Sequence, residues 1–290
     1  MSKIMETANV QKPNYSYCLL QQSCYIEKYK LLTESVLMMG EQNPPVKTLM
    51  QADVEYRQEV KDRGIVTTID VSNLKGTSNN PALYNSLQEL YVVSEINPRL
   101  VVRRNKDGKV SRIENINEME NEWQNWKENK LATFIHNIRK QKRFINNYER
   151  GIKRLRYCIE QNFQYMLLFP ECYRFKEYAT IENRSMGKIY NSRFIEDMHI
   201  PYRLVAKSFL ETVDGLKMSM FSLVDDEVKL PLKSFYKKYL PEFSVEDYDF
   251  FINLEYLFEK ETGKVINGKL SFCEMLHPNF QYKIEISMFL

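Results

Sequence analysis

The chain has 290 residues, and its 41 Lys and Arg against 38 Asp and Glu leave a net charge of only +3. Its 43% hydrophobic and 27% charged residues are typical of an ordinary globular protein. Nine glycines without a phosphate-binding motif argue against a nucleotide site, and five cysteines without a CxxC pair argue against zinc or redox chemistry.

The N-terminal segment, residues 1–13, is polar and is predicted to be disordered. It lacks the apolar core of a secretory signal, and the longest apolar runs of the chain are far shorter than the ~20 residues of a membrane-spanning helix. We therefore expect a soluble, cytoplasmic protein. No linker or repeat divides the remainder, so residues 14–290 are predicted to form a single α+β domain.

The first half of the chain contains strand patterns with one helix among them. Residues 14–37 are rich in apolar side chains, and the alternation at residues 54–60 and 65–71 is typical of half-buried strands. Residues 75–81 are predicted to be a loop, and residues 82–96, with leucines at helical spacing, a helix.

Residues 100–113 have the clearest hairpin pattern of the sequence. Asp107-Gly108 supplies the positive backbone angle that such a turn requires. We therefore expect two short antiparallel strands here, directly before the longest helical pattern of the chain.

That helical pattern covers residues 117–168, as one helix or two in line, with Asn117 predicted to cap its start and Pro170 to end it. A bend is expected only near Gly151. Apolar residues at seven-residue spacing form a seam on one helix face. The favoured interpretation is that this seam packs on the sheet, and a homodimer through the seam is the alternative. The seam consists of Leu131, Ile138, Ile145, Ile152, Ile159 and Met166.

The opposite face of the predicted helix is basic. At ~100° per residue, four arginines lie within about 60° of one another. We interpret them either as a solvated face or as a docking strip for an acidic protein or an anionic membrane surface; nucleic acid is disfavoured because no nucleic-acid-binding motif is present. Two tryptophans upstream are candidate partner anchors, with core packing as the favoured alternative. These candidate partner-binding residues are Arg139, Arg143, Arg150, Arg154, Trp123 and Trp126.

The C-terminal half returns to strand patterns. The last of them alternates strictly, with an apolar side chain at every second position from residue 282 to 288. Strands are predicted at residues 202–210, 216–224, 249–258, 270–275 and 281–289, a short helix at 230–239, and turns at Thr262-Gly263 and Asn267-Gly268.

This order of strands, helices and strands predicts an α+β fold, with a curved antiparallel sheet built from both ends of the chain and packed on the long central helix. The Asp107-Gly108 hairpin that leads into the helix and the closing meander at residues 249–289 resemble the layout of half-barrel lipoprotein carriers of the LolA/LppX type. The resemblance implies an antiparallel meander wrapped around helices. Those carriers are exported, whereas this sequence shows no signal, and no functional residue is carried over.

No catalytic or metal-binding residue is predicted. The histidines, His136, His199 and His277, stand alone in the sequence, without an HxH or HxxxH pair. The acidic clusters at residues 225–227 and 246–249 are interpreted as solvated. We therefore expect no metal and no cofactor.

Three classes of function follow from these patterns. The first is a non-enzymatic binding protein, such as an adaptor, an immunity-type inhibitor or a cargo chaperone, that uses the basic helix face or a sheet surface. The second is a carrier of a lipophilic molecule between sheet and helix, which an apolar cavity of roughly several hundred Å³ would favour and a filled core would exclude. The third is an enzyme whose active site assembles only in three dimensions.

Overall fold

The computed structural model describes residues 18–19, 22–172, 174–175, 186–224 and 229–290. The predictions for residues 1–13 and for the acidic cluster at 225–227 lie outside this part of the chain. The strands are β1 (Cys18–Leu19), β2 (Tyr25–Met39), β3 (Val46–Lys61), β4 (Gly64–Ser78), β5 (Arg99–Arg104), β6 (Val110–Ile113), β7 (Arg174–Phe175), β8 (Met186–Asn191), β9 (His199–Glu211), β10 (Leu216–Val224), β11 (Asp249–Phe258), β12 (Val265–His277) and β13 (Phe280–Phe289). The helices are α1 (Tyr84–Ile96), α2 (Ile116–Asn129), α3 (Leu131–Phe134), α4 (Ile138–Lys153), α5 (Leu155–Gln161), α6 (Phe163–Leu168) and α7 (Lys229–Tyr239).

Eleven of the described strands form one antiparallel sheet, in the order β6-β5-β4-β3-β2-β13-β12-β11-β10-β9-β8, and β1 pairs with β7 separately. Neighbours in the large sheet are also neighbours in the chain, except where β2 pairs with β13 at its centre. The predicted α+β class, with an antiparallel sheet built from both ends of the chain, is confirmed.

The large sheet is strongly curved. Its two edge strands, β6 and β8, both lie against the short helix α5. In a flat sheet, ten spacings of about 4.8 Å would hold these edges about 48 Å apart. The sheet therefore curls around the helical segment and leaves a concave inner face.

Alternate side chains from the strands fill this concave face. On β13 every second residue from Ile284 to Met288 is buried, which confirms the alternation predicted there. Helix α6 lies inside the curve, with Leu167 fully buried. The Tyr256 hydroxyl of β11 donates a hydrogen bond to the carbonyl of Met166 and fixes α6 on the sheet.

The prediction of one long helix, or two in line, at residues 117–168 is wrong, because the segment is broken into five helices, α2 to α6. Two asparagines explain two of the breaks. Asn137 and Asn162 have extended backbone, and their side-chain oxygens accept hydrogen bonds from the amides of Arg139 in α4 and Gln164 in α6. Gly151, where a bend was expected, lies within α4, and the nearest break is at Arg154.

The breaks also divide the predicted seam. Ile159 and Met166 are buried, and Ile145 and Ile152 are half-buried against other helices or the cleft. Ile138 is 68% exposed, so its assignment to a buried seam is wrong. The seven-residue repeat does not stay on one face because each break changes the direction of the helix axis.

The start of the segment differs from the predicted cap. Helix α2 begins at Ile116, and no side chain caps it. The side chain of Asn115, rather than that of Asn117, makes the hydrogen bonds at this end of the helix. Its Oδ1 accepts from the amide of Val101 at 2.9 Å and its Nδ2 donates to the carbonyl of Arg99 at 3.1 Å, which ties α2 to β5.

A loop and a turn predicted from the sequence are in fact parts of strands. Strand β4 continues to Ser78, so most of the loop predicted at residues 75–81 is paired with β3. Asn267-Gly268 is not a turn and lies within β12, whereas the predicted turn at Thr262-Gly263 is present. Among the helices that the structure describes, none is both long enough and apolar enough to cross a membrane.

Candidate functional site

A cleft of about 530 Å³ lies between the sheet and the helices. Strands β2, β3 and β4 form one wall, and helices α1, α4, α5 and α6 form most of the other. The volume is within the range of small-molecule sites in proteins. Apolar side chains dominate the lining, among them Met50, Val54 and Val71 from the sheet and Leu90, Val93 and Ile152 from the helices.

The cleft exists because the protein has two separate apolar clusters. The main cluster joins the concave face of the sheet to α6. The second cluster, defined as Val92, Ile96, Trp123, Trp126, Leu131, Phe144 and Tyr148, joins α1, α2, α3 and α4 to one another. The cleft lies where these clusters meet, with Leu168 of the main cluster and Tyr148 of the second both in its lining.

The cleft opens to solvent. Five of its lining residues are themselves exposed, and they mark its rim. A small molecule could therefore enter without unfolding either cluster. The rim residues are Gln51, Ser86, Asn147, Cys158 and Asn162.

Helix α1 is held over the sheet by one tyrosine. The Tyr91 hydroxyl accepts from the amide of Gly76 at 2.7 Å and donates to the carbonyl of the same residue at 2.9 Å. The absence of a side chain at Gly76 permits this approach, because a Cβ there would lie 3.1 Å from Leu87 Cδ2 and 3.3 Å from the tyrosine oxygen. This contact fixes α1 to β4 at one side of the cleft.

A pair of polar side chains interrupts the apolar lining. The Asn97 amide is hydrogen-bonded to the Tyr148 hydroxyl, and burial raises the pKa of Tyr148. Asn97 Oδ1 is buried without a hydrogen-bond partner among the described residues. A buried acceptor without a partner is unfavourable by about 1–3 kcal/mol, so a donor group on a bound molecule would be stabilising there.

Gly151 lies on the helical wall of the cleft. A Cβ built on it would meet no heavy atom within 4 Å, apart from its own helix. Glycine within a helix is less stable than alanine by about 1 kcal/mol. The residue gives no packing in return, and its effect is to leave space in the cleft.

The four predicted arginines lie beside this cleft on the outer side of α4. Arg139, Arg143, Arg150 and Arg154 are all exposed. Arg143 forms an ion pair of 3.5 Å with Glu89, a lining residue on α1. The structure therefore brings the arginine row next to the rim, a relation that the sequence alone did not indicate.

The two predicted tryptophans are not on the surface. Trp123 is 1% exposed and Trp126 is 9% exposed, and their rings stack at 5.8 Å within the second cluster. Trp123 also stacks on Tyr148 at 4.1 Å. A partner could reach neither ring without opening this cluster.

Glu149 is the acidic residue of α4, and its partners lie on α2 and not in the arginine row. It accepts hydrogen bonds from the Trp123 indole at 3.3 Å and from Lys127 at 3.2 Å. Burial acts to raise the pKa of Glu149, but these two donors outweigh it and lower the pKa overall. The acid therefore faces the second cluster and does not neutralise the arginine row.

The histidines form no cluster. His136 and His199 are exposed, and His277 stacks on Phe243 with ring centres 4.0 Å apart. In the described part of the chain, no three His, Cys, Asp or Glu side chains are grouped so that they could hold a metal ion.

Sequence reasoning did not find the sheet side of the cleft. Leu31, Met50 and Leu74 come from three strands, β2, β3 and β4, and only the folded sheet brings them to one wall. The available signal was Gly151, which has no turn to form and no close contact to permit.

No model of a known protein family matches the chain, and no curated protein sequence matches it. A structure described as "lipid-protein interactions in lipovitellin" is similar with a TM-score of 0.40 and 9% sequence identity, over 93% of this chain and 25% of that chain. The chain thus spans about a quarter of the length of that lipovitellin chain. Likeness at this level implies neither a shared function nor a shared ligand.

Proposed function

We propose that the protein is a non-enzymatic binding protein that carries a lipophilic small molecule in the cleft between sheet and helices. The observation that supports this function best is the cleft itself, about 530 Å³ of space with a mostly apolar lining and an exposed rim. Burial of apolar ligand surface is favourable by roughly 25 cal/mol per Å². An apolar molecule would therefore gain most of its affinity from the two walls, and the Asn97 amide would orient it.

Two glycine variants test this function. Gly151→Phe places a ring in the open space of the cleft, whereas Gly187→Phe places the same ring on β8, where a Cβ also meets nothing within 4 Å. We expect the unmodified protein and Gly187→Phe to bind the neutral dye Nile red saturably, and Gly151→Phe to bind it at least about tenfold more weakly, a loss of about 1.4 kcal/mol. Fluorescence titration measures this difference.

Thermal unfolding provides the folding control for this test. Replacing a helical glycine removes an unfavourable residue from α4, so Gly151→Phe should unfold no earlier than the unmodified protein. Equal dye affinity in all three proteins, or no saturable binding in any of them, would contradict the proposed function.

A second candidate is the binding of an acidic protein partner, as an adaptor, inhibitor or cargo chaperone would do. The exposure of all four arginines in the row supports it. Salt-sensitive association with an acidic protein, lost on Arg150→Gln/Arg154→Gln and unaffected by Gly151→Phe, would favour this candidate over the carrier.

A further inference from the structure

We infer that the molecule bound in the cleft is a single-chain amphiphile with an anionic head group, and that the arginine row holds this head group at the rim. The inference rests on the proposed carrier function and specifies its ligand. It combines two independent features, the apolar cleft and an exposed cationic surface directly beside it.

The geometry of α4 places the charges at the rim. At about 100° per residue, Arg154 lies about 20° and Arg143 about 40° from the rim residue Asn147 around the helix axis. Gly151 follows on the other side of Asn147, and Phe144 and Tyr148 then begin the buried wall. Passing around the helix, the surface changes from arginine to rim to apolar lining within half a turn.

The positive charge of this surface is largely unneutralised. Helix α4 contains six Lys and Arg and one acid, Glu149, which faces the second cluster. Arg139, Arg150 and Arg154 form no ion pair with any described residue. The pair between Arg143 and Glu89 is 3.5 Å long and solvent-exposed, so it contributes little and can be exchanged for a stronger partner.

The chemistry of the two surfaces defines the ligand. The apolar walls exclude a wholly polar molecule, and at about 30 Å³ per water-sized group the cleft holds roughly 18 such groups, comparable to one long acyl chain. Guanidinium groups bind carboxylate and phosphate through two parallel hydrogen bonds. A fatty acid and a lysophospholipid with a phosphate head share this chemistry.

The test compares three probes with the same oleoyl chain, namely oleate, 1-oleoyl-lysophosphatidate and the neutral 1-oleoylglycerol. Binding is measured by displacement of Nile red from the full chain, below the micelle concentration of each probe. We expect at least one anionic probe to bind about tenfold more tightly than the neutral one, since two or three exposed ion pairs supply a preference of this size. The preference should shrink when ionic strength is raised from about 0.01 to about 1 M.

Charge variants assign this preference to the rim. In Arg150→Gln/Arg154→Gln the affinity for the anionic probe should fall to within about twofold of the neutral one, while the affinity for 1-oleoylglycerol stays unchanged. Arg57→Gln is the matched control, because Arg57 is exposed on β3 and its neighbours Tyr56 and Gln58 face the buried side. It should leave both affinities as they were.

The outcomes separate the two proposals. Equal affinity of the unmodified protein for charged and neutral probes, or an anionic preference that survives Arg150→Gln/Arg154→Gln, overturns the inference and leaves the carrier function standing. If no probe competes with the dye and Gly151→Phe binds as the unmodified protein does, the carrier function itself fails. An anionic preference that the double variant removes supports both, and the better of the two anionic probes identifies the head group.

Discussion

Glu274 is a carboxylate in the interior of the protein, in the middle of β12 with no exposed surface. It accepts hydrogen bonds from the hydroxyls of Tyr190 and Ser192 and from the amide of Arg193 at 2.9 Å. Burial raises the pKa of Glu274, and the three donors only partly oppose this effect. The residue thus ties the segment after β8 to β12, and its raised pKa predicts that the stability of this connection depends on pH.

A change to glutamine should remove this sensitivity. Because the folded protein holds the Glu274 proton more tightly than the unfolded chain does, the free energy of unfolding falls as pH rises from about 4.5 towards the folded pKa. Urea unfolding of Glu274→Gln at a series of pH values should lack this decrease. Glu285→Gln, an exposed acid on β13, is the control and should keep it. Parallel pH profiles for all three proteins would contradict the prediction.

Other residues show why single positions are hard to interpret from sequence. Arg104 reads as one of several polar residues of a hairpin, yet it is fully buried. It donates to the carbonyls of Gly108 at 2.7 Å and Pro170 at 2.6 Å, and it lies over the ring of Phe169. The last two partners are distant in the chain, so no local pattern could indicate this role. By contrast, the turn at Gly108 was predictable because its positive φ of 100° is a local requirement.

At the scale of elements, Gly268 of β12 leaves room for a side chain of α6 to pack directly on the sheet. A Cβ at this position would lie 3.0 Å from Leu167 Cδ2 and 3.4 Å from Tyr256 Cδ1. Glycine inside a strand often marks such an approach of another element. The Asn267-Gly268 pair predicts a turn, because asparagine followed by glycine is common in turns. The contact between Gly268 and α6 is distant in the chain, so the local sequence does not indicate it.

A larger residue at this position should push α6 away from the sheet. Gly268→Val is expected to lower the free energy of unfolding by about 1–3 kcal/mol, the usual range for overpacking a filled core. The matched control is Gly187→Val on β8, where the added side chain meets open space and stability should not fall. Urea midpoints at constant slope measure both effects. A loss of less than about 0.5 kcal/mol in Gly268→Val would show that α6 can shift without penalty.

The broken central segment shows the limit of pattern reading for helices. Seven-residue spacing correctly indicated that residues 131–166 are mostly helical, and of the predicted seam it places Leu131, Ile159 and Met166 in the interior. It could not show the breaks, because asparagine caps a helix at positions such as Asn137 and Asn162 but also lies within α4, at Asn146 and Asn147. Helices α4, α5 and α6, which the breaks separate, all contribute side chains to the lining of the cleft.

At the scale of the whole molecule, the sheet consists of two meanders that are joined by one strand pair, β2 with β13. The class and the plan of this sheet were predictable because hairpins are local and their alternation is visible in the sequence. Its curvature and the cleft were not predictable, since they depend on how the eleven strands of the sheet and the seven described helices pack together. The single domain expected at residues 14–290 stays a prediction.

This strand order predicts which backbone amides of the sheet exchange most slowly with solvent. Amides of β2 and β13 are central and paired on both sides, whereas β8 is at an edge. Hydrogen exchange followed by mass spectrometry should find central amides slower than those of β8 by about hundredfold, a difference of about 3 kcal/mol in opening free energy. Similar rates at the centre and the edge would indicate that the sheet opens as one unit.

The pairing of β2 with β13, in which Glu34 lies opposite Glu285, also affects how the sheet forms during synthesis on the ribosome. Strand β2 emerges early, but the partner for one of its sides, β13, is translated only after all the other described strands. Until then a long strand presents free amides and carbonyls, the kind of edge to which other nascent chains adhere. A chaperone that covers free strand edges is therefore expected to bind the nascent chain until β13 has been made.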